Sequence, residues 1–386
     1  MENFELYNPT RIVFGRGQRS RAGELAAASG KKVLLHYGSG SIRASGLYDQ
    51  LVRSLEEAGV PWVELGGVRP NPRLSLVKEG IALCRKEGVG LILAAGGGSV
   101  IDSAKAIAAG ACYDGDVWDF YCGRVRPERM LDVGVVLTIP AAGSESSDGT
   151  VITNEEGPEK RSFCSPFCYP KFAILDPELC VTLPKKQIAA GGADILAHIM
   201  ERYFSRTRGN GLSDQLCEGA MRNLIAYLPK VLADSQNLDA WEQVMWTGNV
   251  AHNGLLGKGN AEDWASHEIE HQLSALYDIA HGAGLAIIFP AWMDYAKEDH
   301  PEKLARFARE VFGVDSSLSE KAAAEEGVRR LREFFASLGL AVRLRDAGID
   351  DGQFEVMARM ACKNGGLGSY QRLGAEDVCR IYRLAY

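Results

Sequence analysis

Histidines and one aspartate are concentrated in a single part of the chain and have the spacing of metal ligands. Five of the seven histidines lie between His198 and His281. Asp194 and His198 are four residues apart in a segment of helical periodicity, so both side chains lie on one helix face. An aspartate with three imidazoles suits Fe²⁺ or Zn²⁺ and leaves a position for a substrate oxygen or water. These residues predict a site for one divalent metal.

His271 lies one helical turn after His267, on the same face of a predicted helix. An imidazole ordinarily titrates near neutral pH, so His271 is a candidate catalytic residue that relays the proton of a reaction. The alternative is a hydrogen bond from His271 that orients a neighbouring metal ligand. The sequence leaves both roles open.

The same segment matches a protease motif. His267-Glu268-Ile269-Glu270-His271 has the H-E-x-x-H pattern of zincin metalloproteases, in which two histidines bind Zn²⁺ and the glutamate activates water. The motif is short enough to arise by chance. It also gives no role to the Asp194/His198 pair or to the glycine loop described next, so a protease is the weaker alternative.

A glycine loop in the first half of the chain is suited to holding a pyrophosphate. In LILAAGGGSVIDSAKAIA, an apolar strand runs through Gly96–Gly98 and Ser99 directly into an Ala-rich helix. Glycines let the backbone approach an anion, and the N-terminus of the helix presents unpaired N–H groups. Neither a Walker A motif nor a G-x-G-x-x-G after the first strand is present. The alternative is a tight turn without a ligand, but three consecutive glycines favour phosphate binding.

The end of the first predicted strand bears on the choice of dinucleotide. It continues into Gly38-Ser39-Gly40-Ser41-Ile42-Arg43, and no acidic residue follows until Asp49. NAD-preferring proteins usually place an acid there to bind the ribose hydroxyls. Small hydroxyl residues and an arginine instead favour a 2′-phosphate, so the sequence predicts NADP(H) over NAD(H). The alternative is a solvated loop whose serines cap the next helix.

Two halves of the chain must position these groups. Residues 1–184 alternate β-rich and helical segments, which predicts βαβ units and a mostly parallel sheet. The predicted strands are Lys32–Tyr37, Trp62–Leu65, Leu91–Ala95, Val133–Ile139 and Phe172–Leu175. Within residues 150–175, two β-rich segments flank the turn NEEGPEK and predict an antiparallel hairpin on that sheet. A cleft between the two halves is the expected ligand site.

Residues 185–386 are predicted to be helical throughout, with Pro184 as the start signal. The clearest periodicity lies in Gln187–Phe204, Gln215–Leu228, Asp239–Leu256 and Ser319–Leu338. The predicted fold class is therefore an α/β dinucleotide-binding domain followed by an all-α domain that carries the metal ligands.

Composition excludes several other classes of protein. The 386 residues carry a net charge of −7, which gives no footprint for nucleic acid or for an anionic membrane surface. No apolar run is long enough to span a bilayer, and the N-terminus lacks a secretory signal pattern. The nine cysteines have no fixed spacing, and no further ligand completes a metal site at Cys164 and Cys168. We expect a cytoplasmic protein with reduced thiols and a small-molecule substrate.

Several motifs together resemble the iron-containing (group III) alcohol dehydrogenase family, with closest likeness to its NADPH-dependent butanol dehydrogenase and aldehyde reductase branch. The likeness runs nearly end to end. It is carried by NPTRIVFG at the start, Pro70-Asn71-Pro72, GGGSVIDSAKAIA, TIPAAGSESS at 138–147, Lys160, LDPEL at 175–179, GGADILAH at 191–198, and His267-x₃-His271-x₉-His281-Gly282.

This resemblance implies a dehydroquinate synthase-like fold, a homodimer, and hydride transfer between primary alcohols or aldehydes and NADP(H) at one divalent metal. It assigns Asp194, His198, His267 and His281 as the metal ligands. The cofactor residues that it implies are Gly38, Ser39, Ser41, Asn71, Gly97, Gly98, Ser99, Asp102, Thr138, Ser144, Ser147, Lys160 and Thr182.

The chain departs from the family pattern in two places. Ala142 stands where many members have threonine, which puts one hydrogen bond beside the nicotinamide in doubt. The acid of NAD-using members is missing after the first strand. Glycerol dehydrogenase and dehydroquinate synthase share the fold and remain alternatives, although the latter usually has a glutamate metal ligand where this chain has Asp194.

Overall fold

The computed structural model describes residues 1–157 and 159–386. They form two compact units, one of Tyr7–Leu183 and the other of Met1–Leu6 with Pro184–Tyr386. The first is an α/β unit and the second is mostly helical, which confirms the predicted fold class. In the described part of the chain, no helix has the length and hydropathy needed to cross a membrane.

A six-stranded parallel sheet forms the centre of the α/β unit, in the order β1-β8-β5-β4-β2-β3. Its central strands are rich in Val, Leu, Ile and Ala and are mostly buried, as is typical of parallel sheets. The strands are β1 (Arg11–Phe14), β2 (Val33–Gly38), β3 (Trp62–Val68), β4 (Leu91–Gly96), β5 (Asp132–Leu137) and β8 (Phe172–Leu175).

Six helices accompany this sheet. α5 follows β4 with only Gly97 between them, so its N-terminus lies at the carboxyl edge of the sheet. The helices are α1 (Ala22–Ala27), α2 (Ser41–Ala44), α3 (Leu47–Glu57), α4 (Leu74–Glu87), α5 (Gly98–Ala111) and α6 (Trp118–Tyr121).

The predicted hairpin is present as β6 (Gly149–Asn154) and β7 (Glu159–Cys164). The two strands pair with each other in an antiparallel sheet of their own, rather than adding to the six-stranded sheet. The hairpin contacts the segment after β3 through Thr153, whose N–H donates to the Pro72 carbonyl at 2.8 Å. Pro158, in the predicted turn, lies outside the described residues.

The helical unit contains nine of the helices that the structure describes. The first of them follows Pro184, which is its N-cap residue. They are α7 (Lys185–Tyr203), α8 (Gly211–Ala233), α9 (Leu238–His252), α10 (Ala265–Tyr277), α11 (His281–Ala296), α12 (Pro301–Phe312), α13 (Glu320–Ser337), α14 (Phe354–Ala361) and α15 (Ala375–Ala385).

The sequence missed one strand. β1 has four residues, three of them apolar, but only Val13 is buried. It pairs with β8 in parallel and lies at the edge of the sheet.

Candidate metal and nucleotide sites

Three of the predicted metal ligands converge in the helical unit. Asp194 lies in the middle of α7, His267 in the first turn of α10, and His281 is the first residue of α11. Each offers one ligand atom, and these atoms all lie within 4.8 Å of one another. Asp194 Oδ1 is 3.8 Å from His281 Nε2. A single cation can be reached by all three side chains.

A glycine allows this convergence. At Gly282, a Cβ atom would lie 1.9 Å from the carbonyl oxygen of Ala190 and 3.1 Å from the Cβ of Asp194. No side chain fits at that distance from a backbone atom. Gly282 therefore lets the N-terminus of α11, with His281, approach the backbone of α7.

His198 lies beside the three ligands but outside their 4.8 Å group. Its Nδ1 is 2.9 Å from the Asp194 carbonyl oxygen and 3.2 Å from Asp194 Oδ1. Its ring centre is 4.6 Å from that of His267. Because a carbonyl oxygen only accepts, Nδ1 carries the proton and Nε2 keeps its lone pair for a cation.

The chemistry of this donor set fits a divalent metal. His267 is 5% exposed, and its Nε2 is buried without a hydrogen-bond partner among the described residues. Burial, followed by the nearby imidazoles of His198, His281, His271 and His252, lowers the pKa of His267 well below 6.5. A neutral imidazole with a buried lone pair is the form in which histidine binds a metal.

Two buried glutamates that the sequence analysis did not single out hold the histidine rings. Glu201 accepts a hydrogen bond from His267 Nδ1 at 2.7 Å, and Glu270 pairs with His281 Nδ1. Glu201 also accepts the backbone N–H groups of Trp264 at 2.7 Å and His267 at 3.0 Å, so both of its oxygens act as acceptors. Burial raises the pKa of Glu201, and these backbone N–H groups oppose that change.

Such carboxylate–histidine pairs fix the tautomer and the orientation of metal-binding imidazoles. In the sequence, Glu201 differs from a solvent-exposed glutamate only in its apolar neighbours, such as Ile199 and Met200 before it. This signal appears once burial is known, which is why the residues were missed.

His271 belongs to a neighbouring group. Its ligand atom lies within 4.8 Å of those of Glu270 and His281, and its ring centre is 5.4 Å from that of His281. In the part of the chain that the structure describes, no three-ligand group contains both His267 and His271. This geometry does not favour the zincin alternative, which requires these two histidines to share one metal.

The glycine loop occupies the turn from β4 to α5. Gly97 is the N-cap of α5, and a Cβ at Gly96 would lie 2.4 Å from a methyl group of Val100. A Cβ at Gly98 would lie 3.1 Å from that of Ala142, so the position of the family threonine directly faces the loop. The N-terminus of a helix that follows such a loop can bind an anion.

Other predicted cofactor residues lie at the same edge of the sheet. Parallel pairing places Gly38 opposite Val68 and Gly96 opposite Leu137, so the carboxyl ends of four strands are adjacent. Thr138 follows Leu137 directly, and Asn71 follows β3 with a φ of 54°. Dinucleotides bind at this edge in open α/β sheets.

The remaining predicted cofactor residues divide into three groups. Ser39 and Ser41 are exposed after β2. Asp102, Ser144 and Ser147 belong to a buried network at α5, in which Ser144 Oγ donates to Asp102 Oδ1 at 2.6 Å. Lys160 lies on β7, where its charge opposes the burial that raises the pKa of Asp102, and Thr182 is exposed before α7.

Arg43, which follows β2, forms an ion pair within the α/β unit. Its guanidinium donates to Glu64 at 2.9 Å and to the hydroxyl of Tyr37 at 2.6 Å. It also lies 3.7 Å over the ring of Tyr48. Glu64 was missed because it is in the middle of β3 rather than at the end of β2.

A glycine turn at the carboxyl edge of a parallel sheet is typical of dinucleotide-dependent oxidoreductases, and a buried aspartate with histidines is typical of a metal site. The family model described as iron-containing alcohol dehydrogenase matches residues 9–177. The model described as Fe-containing alcohol dehydrogenase family, C-terminal, matches residues 188–386. The chain belongs to the iron-containing alcohol dehydrogenase family, whose members use a divalent metal, and it is an alcohol/aldehyde oxidoreductase.

Relatives match over the whole length. The probable NADH-dependent butanol dehydrogenase 1 of Bacillus subtilis (strain 168) is 44% identical over 384 residues, which cover 99% of each chain. The NADPH-dependent aldehyde reductase YqhD of Escherichia coli (strain K12) is 34% identical over 390 residues, and the match covers 100% of each chain. The crystal structure of NADH-dependent butanol dehydrogenase A from Thermotoga maritima has a TM-score of 0.96 and 41% identity, covering 100% of this chain and 99% of that one. These relatives do not favour the protease, dehydroquinate synthase or glycerol dehydrogenase alternatives.

Proposed function

We propose that this enzyme interconverts short primary alcohols and aldehydes, as a butanol dehydrogenase does, by hydride transfer with a nicotinamide dinucleotide. One divalent metal, Fe²⁺ or Zn²⁺, is held by Asp194, His198, His267 and His281. The observation that carries the proposal is that Asp194, His267 and His281 offer ligand atoms within 4.8 Å of one another, while Nε2 of His267 is buried without a hydrogen-bond partner among the described residues. The names of the relatives from Bacillus subtilis and Escherichia coli support the substrate class.

A bound divalent metal acts as a Lewis acid, which lowers the pKa of an alcohol hydroxyl or polarises a carbonyl. The protein supplies the geometry. Glu201 accepts from His267 Nδ1 and Glu270 pairs with His281 Nδ1, so the other ring nitrogen of each histidine would be available to a divalent cation. His271, beside His281, is our candidate for carrying the reaction's proton, since its ring belongs to the neighbouring group and not to the three converging ligands.

The role of His271 is tested by His271→Ala. If His271 carries the proton, the variant keeps its metal and loses turnover. Loss of bound metal would instead show that His271 is a ligand or orients one. Metal content per chain, measured beside kcat, distinguishes the two.

The dinucleotide is proposed to bind at the carboxyl edge of the sheet, with its pyrophosphate at Gly97, Gly98 and Ser99. The residues proposed to line the rest of its path are Gly38, Ser39, Ser41, Asn71, Asp102, Thr138, Ser144, Ser147, Lys160 and Thr182. The positions of Gly38, Gly96 and Thr138 on adjacent strand ends support this path.

We propose a preference for NADP(H) over NAD(H) that is modest in size. Ser39 and Ser41 are exposed, and no carboxylate follows β2 directly. The ion pair between Arg43 and Glu64 limits what this arginine contributes to a 2′-phosphate. Several relatives are named NADH-dependent, so we expect the two dinucleotides to differ in kcat/KM by about tenfold or less, which corresponds to about 1.4 kcal/mol.

The test is the oxidation of NADPH and of NADH with butanal, followed by absorbance, on metal-stripped protein reloaded with Fe²⁺ or Zn²⁺. Activity is expected only after reloading. Asp194→Asn and His267→Ala should lose both metal and activity. Full metal content in both variants, or turnover in the stripped enzyme, would refute the assignment of the ligands.

A homodimer is proposed from the edge of the sheet. β1 pairs with β8 on one side, and in the described residues no strand pairs with its other side. Phe14 on this strand is 38% exposed. Edge strands of this kind are templates for pairing with a second copy. Light scattering should give a mass about twice that of one chain, which is 41.9 kDa. The Phe14→Glu variant should have the mass of a single chain. A single-chain mass for the unmodified protein would refute the dimer.

A cytoplasmic location is proposed from the cysteines. Cys84, Cys168, Cys180 and Cys217 are buried thiols. Burial raises the pKa of Cys84 and of Cys168 to about 12, which keeps them unreactive. Such thiols suit a reducing compartment. Fractionation that recovers the enzyme outside the cytoplasm would contradict this.

A further inference from the structure

Lys105 is a buried lysine on the helix that follows the glycine loop. It lies in α5, two turns from Gly98, and its side chain is 0% exposed. The ammonium group donates three hydrogen bonds: to Ser144 Oγ at 3.0 Å, to the Ser147 carbonyl at 2.9 Å and to the Gly149 carbonyl at 2.8 Å. All three of its donors are therefore used.

All three acceptors belong to one segment, Ser144–Gly149, which follows β5 and ends at the first residue of β6. A short 3₁₀ turn at its start follows Gly143, which has a φ of 63°. Asp102, one turn before Lys105, binds the same region, since its Oδ1 accepts from Ser144 and its Oδ2 from the N–H of Val151 at 3.2 Å. Two charged side chains on one face of α5 thus hold this segment.

Burial of a lysine at this position is unfavourable in free energy. An ammonium group leaves water at a large free-energy cost, and an apolar side chain of similar length would fill the space without that cost. Burial lowers the pKa of Lys105, and the nearby Asp102 opposes the change. What lysine adds is three directed bonds that fix the path of the Ser144–Gly149 backbone.

We propose that Lys105 is a positioning residue for the nucleotide site. It fixes Ser144 and Ser147 relative to the glycine loop at the start of the same helix, so that both can line the path of the dinucleotide. This inference rests on the proposed function, because it takes Ser144 and Ser147 as cofactor residues. Lys105 itself is buried beneath the segment and acts through it.

The test compares Lys105→Met with Lys303→Met in the full-length, metal-loaded enzyme. Lys303 is a matched control, because it is also largely buried and ion-paired, with Asp214 at 2.5 Å, in the helical unit. Binding of NADPH, NADH and ADP is measured by calorimetry, beside metal content and thermal stability. ADP carries the adenosine and the two phosphates but not the nicotinamide riboside, so it probes the glycine loop and the adenosine part of the site.

We expect Lys105→Met to weaken binding of both dinucleotides at least tenfold, to change ADP binding by less than threefold and to leave the metal content unchanged. KM for the dinucleotide should rise more than kcat falls. Lys105→Gln, which keeps two donors, should recover part of the affinity and remains available if the methionine variant does not fold. Lys303→Met should leave dinucleotide affinity unchanged.

Unchanged dinucleotide affinity in Lys105→Met would overturn the proposal. Equal losses for ADP and the dinucleotides would also overturn it, since they indicate collapse of the whole site. Failure of the unmodified enzyme to bind any dinucleotide would instead refute the proposed function, so the two failures are distinguishable.

Discussion

Glu201 offers the sharpest test of how the metal site is built. Its two oxygens accept three hydrogen bonds, from His267 Nδ1 and from the backbone N–H groups of His267 and Trp264. In Glu201→Gln, one of these acceptors becomes an NH₂ group that faces a donor. Either the hydrogen bond that orients the His267 ring is lost, or the bonds that hold the backbone at the N-terminus of α10 are lost.

The expected size follows from the general effect of such partners. Loss of a hydrogen bond that orients a metal-binding histidine costs 10- to 100-fold in metal affinity, which corresponds to about 1.4–2.7 kcal/mol. We expect Glu201→Gln to weaken Zn²⁺ binding by this factor while the fold is kept. Competition with a chelator of known affinity measures it.

Glu218→Gln is the matched control. Glu218 is also buried in the helical unit, where it accepts from Tyr203 at 2.9 Å and from Arg306 at 2.7 Å, and it contacts none of the proposed ligands. It should cost stability without changing metal affinity. Equal metal affinities in the two variants would refute the view that Glu201 orients His267.

Three further predictions concern other parts of the molecule. Gly98→Val places methyl groups against Ala142 and at the phosphate position, so dinucleotide affinity should fall at least tenfold with metal content unchanged; unaltered affinity would argue against the glycine loop as the phosphate site. Glu268→Gln should keep metal and dehydrogenase activity, whereas a zincin mechanism requires this glutamate. Burial lowers the pKa of His36 to about 4 from 6.5, so His36 contributes about 3 kcal/mol of stability that is full above pH 6.5 and is lost as the pH falls toward 4. The stability difference between the unmodified protein and His36→Gln, from urea denaturation, should shrink over that range, and a constant difference would contradict this.

The fold was largely predictable because its strongest signals are local. Val33–Gly38 and Leu91–Gly96 are apolar runs that end in glycine, and a sheet buried on both faces produces such runs. The hairpin was predicted from another local signal, the two β-rich segments that flank the turn NEEGPEK, but its independence from the main sheet depends on long-range pairing that no local pattern encodes. β1 is an edge strand, and its place in the sheet depends on pairing with β8, which lies far along the chain.

The candidate site also combines features that are local in the sequence with features that depend on long-range contacts. Asp194 and His198 share one helix face by sequence spacing alone. The approach of His281 to Asp194 depends instead on the contact between Gly282 and Ala190. Glu201 and Lys105 are defined by what surrounds them, since a glutamate or a lysine in a helix is ordinarily solvent-exposed. Three-dimensional burial is what distinguishes them from the other charged residues of the chain.

The backbone contact at Gly282 has a consequence for how the enzyme acquires its ion. Because two helices touch main chain to main chain beside His281 and Asp194, the separation of these two proposed ligands is determined when the protein folds. Little conformational entropy of the protein is therefore lost when a cation binds. Its exchange can proceed without unfolding the surrounding helices. A site assembled in advance can release one metal and accept another, so the ion that it carries will follow the supply in the cell as much as intrinsic affinity.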